Sequence, residues 1–244
     1  MTGAVPPLPV PRLVIWRHGR TAWNAAGRFQ GQLDPPLDDE GRRQAALAAP
    51  HLAAAGLPDE GAVVVSSPLQ RATDTATALT SLLGVPLRVD ERLREFGMGS
   101  WEGLTRKEVA EHHPEQYADW LAGRPVRGRG GEDPADVPVR ALAALRALPE
   151  APVAVVVTHG GTAARLMEAL LGLGPEHRRL FGPLGNCAWS ELAVQRDQWR
   201  LLRHNHTAPT IPARPASSAL VEGAGRSGAR PDEDAPAQDA DAVL

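Results

Sequence analysis

The run Val153-Ala154-Val155-Val156-Val157-Thr158 constrains the fold of this chain more than any other segment. It is β-branched and apolar at almost every position, so as a strand it has no polar face to give to solvent. A strand of that kind sits in the middle of a largely parallel sheet, with helices covering both faces. The rest of the sequence repeats the same theme. Leu13 to Trp16 and Ala62 to Ser66 read as further strands, with a weaker one at Leu87-Arg88-Val89. Between them lie Ala/Leu-rich stretches of helical pattern. One opens at Asp38-Asp39-Glu40-Gly41, where acidic residues suit the start of a helix, and continues to about Ala55, with Pro50 expected to kink or divide it. Another starts at Ser67-Pro68, and a third follows Gly160-Gly161 and ends near Gly172. Trp189 to Val194 and Trp199 to Leu202 read as two closing strands around a turn at Arg196-Asp197.

The expected architecture is a single three-layer α/β/α domain with a mostly parallel central sheet over residues 12–206. A flexible N-terminus over 1–11 precedes it. The stretch Arg124 to Val139 has much Gly, Pro and Arg and no period, so it reads as a loop. From residue 207 to 244 Pro, Ala, Gly, Ser and Asp dominate, which predicts a disordered acidic tail. Charge agrees with that division. Residues 1–207 carry 23 basic and 23 acidic side chains, whereas residues 208–244 carry 3 Arg and 6 acids, so the net −3 lies in the tail. A neutral body has no electrostatic drive toward nucleic acid, and no basic stripe marks a membrane surface. No stretch approaches the length of an apolar span, and the first eleven residues lack the pattern of a secretory signal. Cys187 is the only cysteine, which removes a disulfide framework and any Cys-based zinc motif. A cytoplasmic location is the expectation that follows.

Ligands of α/β sheets bind beyond the carboxyl ends of the strands. Four such ends here carry groups with chemical potential. They are Arg17-His18-Gly19-Arg20-Thr21-Ala22-Trp23-Asn24 after the first strand, Arg71 one turn into the helix after the second, Leu93 to Gly103 after the third, and His159-Gly160-Gly161 after the Val153 strand. Brought together, Arg17 and Arg71 would offer planar donor forks suited to phosphate oxygens, and a helix start would add unpaired N–H groups. One imidazole could attack phosphorus, the second could donate to the equatorial oxygens, and a carboxylate could protonate the leaving oxygen. Phosphoryl transfer asks chiefly for such positioning and charge stabilisation.

The ordered set Arg17-His18-Gly19-Arg20-Thr21 with Trp23-Asn24, Arg28-Phe29-Gln30-Gly31, Leu37 to Gly41, Ser66-Ser67-Pro68 through Arg71-Ala72, Glu95 with Gly99 to Gly103, and His159-Gly160-Gly161 resembles the histidine phosphatase superfamily, phosphoglycerate mutase-like branch. The likeness covers about residues 12–205. Within the superfamily, Gly31 to Asp34, Arg92 to Glu95 and Gly185 to Trp189 resemble actinobacterial glucosyl-3-phosphoglycerate phosphatases, and the broad-specificity, cofactor-independent phosphatases as well. The resemblance implies a metal-independent phosphomonoesterase acting on a small phosphorylated metabolite, with His18 as nucleophile and no cofactor. Arg17, Arg71 and His159 would bind the phosphoryl group, with Asn24 a further donor, and Glu95 would serve as acid and then base. Thr21, Gln30, Gly31 and Gly160 complete the substrate-side candidates. The Arg124–Val139 loop and the tail lie outside the resemblance.

Several readings stay open at this level. Arg71 alone would suit a solvated helix residue paired with Asp74, and Glu102 or Glu91 could replace Glu95 as the acid. His18, His159 and Glu95 are chemically able to bind zinc, although two neighbouring arginines would repel it. Trp16 and Trp101 read as packing residues. A mutase that hands the phosphoryl group to a second hydroxyl, and a non-catalytic phospho-ligand module, remain as alternatives. A carboxylate on the substrate would need another cation, for which Arg20, Arg28 and Arg94 are candidates. Homodimerisation through an exposed sheet edge or helix is also compatible with the sequence.

Overall fold

A computed structural model of the 244-residue chain describes residues 7–54, 57, 61–174, 177 and 180–209. Its strands are β1 (Arg12–Arg17), β2 (Ala62–Ser66), β3 (Leu87–Val89), β4 (Val153–Thr158), β5 (Trp189–Gln195) and β6 (Gln198–His206). They form one sheet in the order β3-β2-β4-β1-β5-β6. The pairs β3–β2, β2–β4 and β4–β1 are parallel, and β5 runs antiparallel to both β1 and β6. The Val153 run is buried at every position and sits between β1 and β2.

Among the described residues seven α-helices accompany the strands: α1 (Ala22–Ala25), α2 (Asp39–Ala54), α3 (Gln70–Leu83), α4 (Arg106–His112), α5 (Pro114–Leu121), α6 (Asp136–Arg146) and α7 (Gly160–Leu170). The period-2 alternation of the central strands sorts their side chains between two cores. Leu13, Ile15, Ala154 and Val156 pack against Ala141, Ala144 and Leu145 of α6 and Ala163, Leu166, Met167 and Leu170 of α7. Val14, Trp16, Val153, Val155 and Val157 pack against Ala45, Ala48, Ala49 and Leu52 of α2 and Ala72, Ala76 and Leu79 of α3. The helical residues recur at three- and four-residue intervals, the spacing that lines one helix face. Helices on both faces of one sheet make the expected three layers.

A third cluster was not legible beforehand. Phe29, Phe96, Met98, Trp101, Val109 and Val137 form it, with Tyr117, Trp120 and Val126 packed against them. It brings α4 and α5 together with the segments that follow β1 and β3. Trp16 and Trp101 are indeed fully buried packing residues.

Several boundaries differ from the expectation. α2 is not divided at Pro50: the residue is exposed, its missing N–H costs only the one bond back to the preceding turn, and the helix continues to Ala54. α3 begins at Gln70 rather than at Ser67-Pro68. The Ser67 hydroxyl accepts the Leu69 N–H and shapes the turn that precedes the helix. The irregular stretch ends at residue 135, because α6 takes in Asp136 to Val139 and tolerates Pro138 in its first turn. Residues 9–11 are tied to the sheet: Val10 is fully buried, Ala151 N–H donates to the Pro9 carbonyl, and Val194 N–H to that of Pro11. Residues 1–6 and 210–244, which include nearly all of the expected tail, lie outside the described residues. No described helix is long and apolar enough to cross a membrane.

Candidate active site

Strand register assembles the site. Arg17 of β1 is paired with Thr158 of β4, and Ser66 of β2 with Val157 of β4, so the chain leaves three adjacent strands at His18, His159 and Ser67. Adjacent strands lie roughly 4.8 Å apart. The two imidazole centroids are accordingly 5.1 Å apart, with planes tilted by 58°.

Backbone on every side holds His18. Its N–H donates to the Thr158 carbonyl, and its own carbonyl accepts from Cys187 N–H and from Asn186 Nδ2. His18 Nδ1 lies 2.7 Å from the Gly19 carbonyl oxygen. A carbonyl only accepts, so this contact places the proton on Nδ1 and leaves the Nε2 lone pair available. Glycine at 19 is a packing requirement. A Cβ there would lie 2.5 Å from the Gly41 carbonyl oxygen and push away the first turn of α2. Burial, then Arg71, then Arg17 hold the His18 imidazole well below the ordinary histidine range, against a smaller opposite pull from the Gly19 contact. At neutral pH it is uncharged and nucleophilic.

The His159 imidazole is fully buried and lies at the N-cap of α7. Its Nε2 is 2.8 Å from the Ser67 hydroxyl, while Nδ1 has no hydrogen-bond partner. With the Ser67 hydroxyl donating to Nε2, Nδ1 carries the proton and becomes a donor awaiting an acceptor. Its pKa is lowered by burial, then by Arg71, His18, Arg17 and Arg140.

Arg17 and Arg71 are both completely buried. Arg17 Nη1 donates to the Leu184 carbonyl at 2.7 Å. Arg71 Nη1 donates to the Leu33 carbonyl and Nη2 to that of Gly31, at 2.7 and 2.8 Å, with an Asp34 carboxylate oxygen 3.6 Å away. Arg71 thus turns toward the 31–34 segment rather than toward Asp74. The two buried guanidiniums flank the two imidazoles, and their positive charge helps keep both rings neutral.

Glu95 sits across the start of α7 from His159. Its carboxylate accepts from the N–H groups of Phe96, Gly161 and Thr162 at 2.8, 3.1 and 2.9 Å. These contacts fix the Glu95 side chain at the first turn of α7, where backbone N–H groups lack intrahelical partners. Glu102 is engaged elsewhere: its Oε1 accepts from Gln32 and Met98 N–H and ties two loops together. Glu91 is an exposed residue 3.8 Å from Arg94. Among the described residues no cluster of three or more His, Cys, Asp or Glu is arranged to hold a metal ion.

The substrate-side candidates occupy several roles. Thr21 caps α1 in a reciprocal box with Asn24, and its hydroxyl lies 2.9 Å from Gln30 Oε1. Asn24 Oδ1 also accepts from Asn186 Nδ2, which links this cap to the His18 carbonyl. The Gly31 carbonyl positions Arg71, and Gly160 opens α7. Ser67, Thr75 and Asn186 support the centre without having been singled out for it. The Thr75 hydroxyl is 3.0 Å from Gly19 N–H, which donates to it, and itself donates to the Arg71 carbonyl. Ser67 and Asn186 lie within the motif segments, but only their place beside His159 and His18 reveals their contacts.

Beside this centre lies a cavity of about 720 Å³. Its lining includes Gly160, next to His159, and Leu184, whose carbonyl accepts from Arg17, together with much of the irregular 124–135 stretch, but not His18, His159, Arg17, Arg71 or Glu95 themselves.

The structure is an α/β protein whose strand ends gather two buried imidazoles and two buried guanidiniums. The family model of the histidine phosphatase superfamily (branch 1) matches residues 13–207, and the chain belongs to that superfamily. It is 41% identical over 195 residues to a glucosyl-3-phosphoglycerate phosphatase of Mycolicibacterium vanbaalenii, covering 75% of this chain and 84% of the relative. It is 31% identical over 200 residues to phosphoserine phosphatase 1 of Hydrogenobacter thermophilus, covering 80% and 92%. Among solved structures, a mycobacterial glucosyl-3-phosphoglycerate phosphatase complexed with VO3 superposes with a TM-score of 0.70 at 38% identity, covering 81% of this chain and 100% of that one.

Proposed function

We propose that this phosphomonoesterase works through a covalent phosphohistidine on His18. The observation that supports the reading is the Nδ1 contact with the Gly19 carbonyl, which leaves the Nε2 lone pair of an uncharged ring for attack, with the His159 ring 5.1 Å away and Arg71 and Arg17 near enough to lower its pKa. In the first step Nε2 attacks phosphorus, the bond to the leaving oxygen breaks, and the Glu95 carboxyl delivers a proton to that oxygen. In the second, water attacks phosphorus, Glu95 takes the water's proton, and the P–N bond breaks to release inorganic phosphate. Arg17, Arg71 and the His159 Nδ1–H hold the equatorial oxygens through both steps, where fixed donors stabilise developing charge without reorganising.

The substrate is a small phosphorylated metabolite, and the favoured candidate is glucosyl-3-phosphoglycerate. Its support is the name shared by the relatives together with the cavity beside the centre, whose volume falls in the roughly 300–1,000 Å³ range of small-molecule sites. The deciding assay follows free phosphate and isomerised ester together, with and without EDTA. Phosphate release that survives the chelator supports the reading. Isomerisation without phosphate release would replace it with a mutase, and activity lost to EDTA and restored by a metal would replace the metal-free chemistry.

A further inference from the structure

We propose that Arg129 binds a carboxylate on the alcohol portion of the substrate, so that this site takes phosphomonoesters of hydroxy acids. The inference rests on the phosphatase reading above and adds the leaving-group end to it. The three arginines named from sequence for that task are occupied away from the cavity wall. Arg20 pairs with Asp38 at 2.9 Å, Arg28 with Glu108 at 3.0 Å, and Arg94 lies 3.8 Å from Glu91. None of them lines the cavity, whereas Arg124, Arg127, Arg129 and Arg165 do.

Of those four, Arg124 is paired with Asp119 and Arg165 with Glu168, at 2.8 and 2.9 Å. Arg127 is exposed. Arg129 differs from all of them. Only 6% of it is exposed, its Nη1 is buried with no acceptor, and no carboxylate lies within ion-pair distance among the described residues. Its guanidinium carbon lies 4.9 Å from the Phe96 ring centroid and 5.2 Å from that of Trp101. Those π faces attract a cation but offer its Nη1 no acceptor. Burial lowers its pKa to about 10, partly offset by Glu102, so the side chain still carries its charge at neutral pH. A buried guanidinium with no carboxylate beside it is costly, and a carboxylate entering the cavity that Arg129 lines would give the charge a partner.

The loop that carries Arg129 is fixed to the loop that carries Glu95. Ser100 N–H donates to the Arg129 carbonyl at 2.8 Å, and Glu132 N–H to the Gly97 carbonyl at 3.0 Å. Gly99 has a positive φ of 59°, and a Cβ on it would lie 2.2 Å from the Arg129 oxygen, so the two backbones are in direct contact. Phe96, which follows Glu95 directly, lies against the Arg129 guanidinium. The loop that carries the proposed acid is therefore in direct contact with the loop and the guanidinium of Arg129.

The experiment measures kcat/KM for glucosyl-3-phosphoglycerate and for 3-phosphoglycerate, each against the matching primary amide, in the full chain and in Arg129→Gln and Arg129→Lys. Hydrolysis of p-nitrophenyl phosphate by the unaltered chain is measured alongside. The proposal expects a clear preference for carboxylate over amide, which falls about 10- to 100-fold in Arg129→Gln, mainly through KM, and is partly restored in Arg129→Lys. A packing role alone would lower both members of a pair and leave their ratio unmoved, and that result overturns the proposal. So does an unaltered chain that hydrolyses p-nitrophenyl phosphate but shows no preference, in which case the phosphatase reading still stands. Failure on every ester, p-nitrophenyl phosphate included, would instead strike that reading and take the proposal with it.

Discussion

The two ends of the proposed substrate site are built in opposite ways. At the phosphoryl end, Arg17, His18, Arg71 and His159 are buried, hang from strand ends or from the first turn of a helix, and are braced by backbone carbonyls and hydroxyls. At the leaving-group end, the wall is an irregular segment whose neighbouring side chains Arg124 and Arg127 are exposed and whose one buried cation, Arg129, lacks an acceptor at Nη1. The difference follows from the chemistry. A phosphoryl group is the same in every substrate and rewards fixed donors, whereas alcohols differ and are read by loops on a rigid frame.

The largest effect should come from the end that cannot tolerate change. His18→Ala is expected to lower turnover at least about 10⁴-fold on every phosphomonoester, since no other imidazole there has a nucleophilic nitrogen similarly aimed. Phosphate-release kinetics check it, and retained activity would move the nucleophile elsewhere. Glu95→Gln joins the two ends. It should slow esters of alkyl alcohols by about 10²- to 10⁴-fold, and p-nitrophenyl phosphate by far less, because nitrophenolate leaves with little need of a proton. Equal losses on both would assign Glu95 to holding the start of α7, and the same comparison on Glu102→Gln would then locate the acid.

The contrast between the ends also explains what the sequence disclosed. His18 and His159 could be placed together because each directly follows an apolar strand, and a parallel sheet aligns such ends. Arg71 could be placed because its helix follows the neighbouring strand. What the Arg71 fork touches, the 31–34 carbonyls rather than Asp74, depends on a loop crossing that no periodicity encodes. The aromatic cluster of Phe29, Phe96, Trp101 and Trp120 draws on segments far apart in the chain, so no local pattern announced it. Arg129 was hidden for a related reason. The Gly and Pro content of residues 124–135 reads as irregular, and only the contact with Gly97 to Ser100 gives that stretch a defined place. The position of α6 was obscured by Pro138, which a helix accepts in its first turn and nowhere deeper.

A subtler expectation concerns acid. In the unfolded chain the two site histidines take up protons near their ordinary value of 6.5, whereas the folded protein resists protonating them until well below it. The unfolded state therefore binds more protons in that interval, so stability falls as pH drops below about 6.5, by about 1 kcal/mol per pH unit for each histidine. Urea titrations at pH 7, 6 and 5 should show this slope, and His159→Gln should reduce it. A stability that holds constant or rises toward pH 5 would contradict the neutral, buried pair.

The smallest effect compares the ends directly. Cys187 is 5% exposed, its N–H is bound to the His18 carbonyl, and burial pushes its thiol above the ordinary range. It should resist iodoacetamide until the protein unfolds globally, while trypsin should cut after exposed Arg127 in the native state. Labelling of Cys187 as fast as cleavage at Arg127 would remove the distinction between a rigid and an adaptable end.

The central claim is that phosphorus becomes bonded to His18 Nε2. Rapid acid-free quenching during turnover of a labelled phosphomonoester, followed by peptide mapping at alkaline pH, reads this directly. We expect an acid-labile, base-stable phosphoryl group on the peptide containing His18, absent in His18→Ala and accumulating in Glu95→Gln when p-nitrophenyl phosphate is the donor. Full turnover with no phosphorylated His18 at any quench time, or label on a different residue, would contradict it.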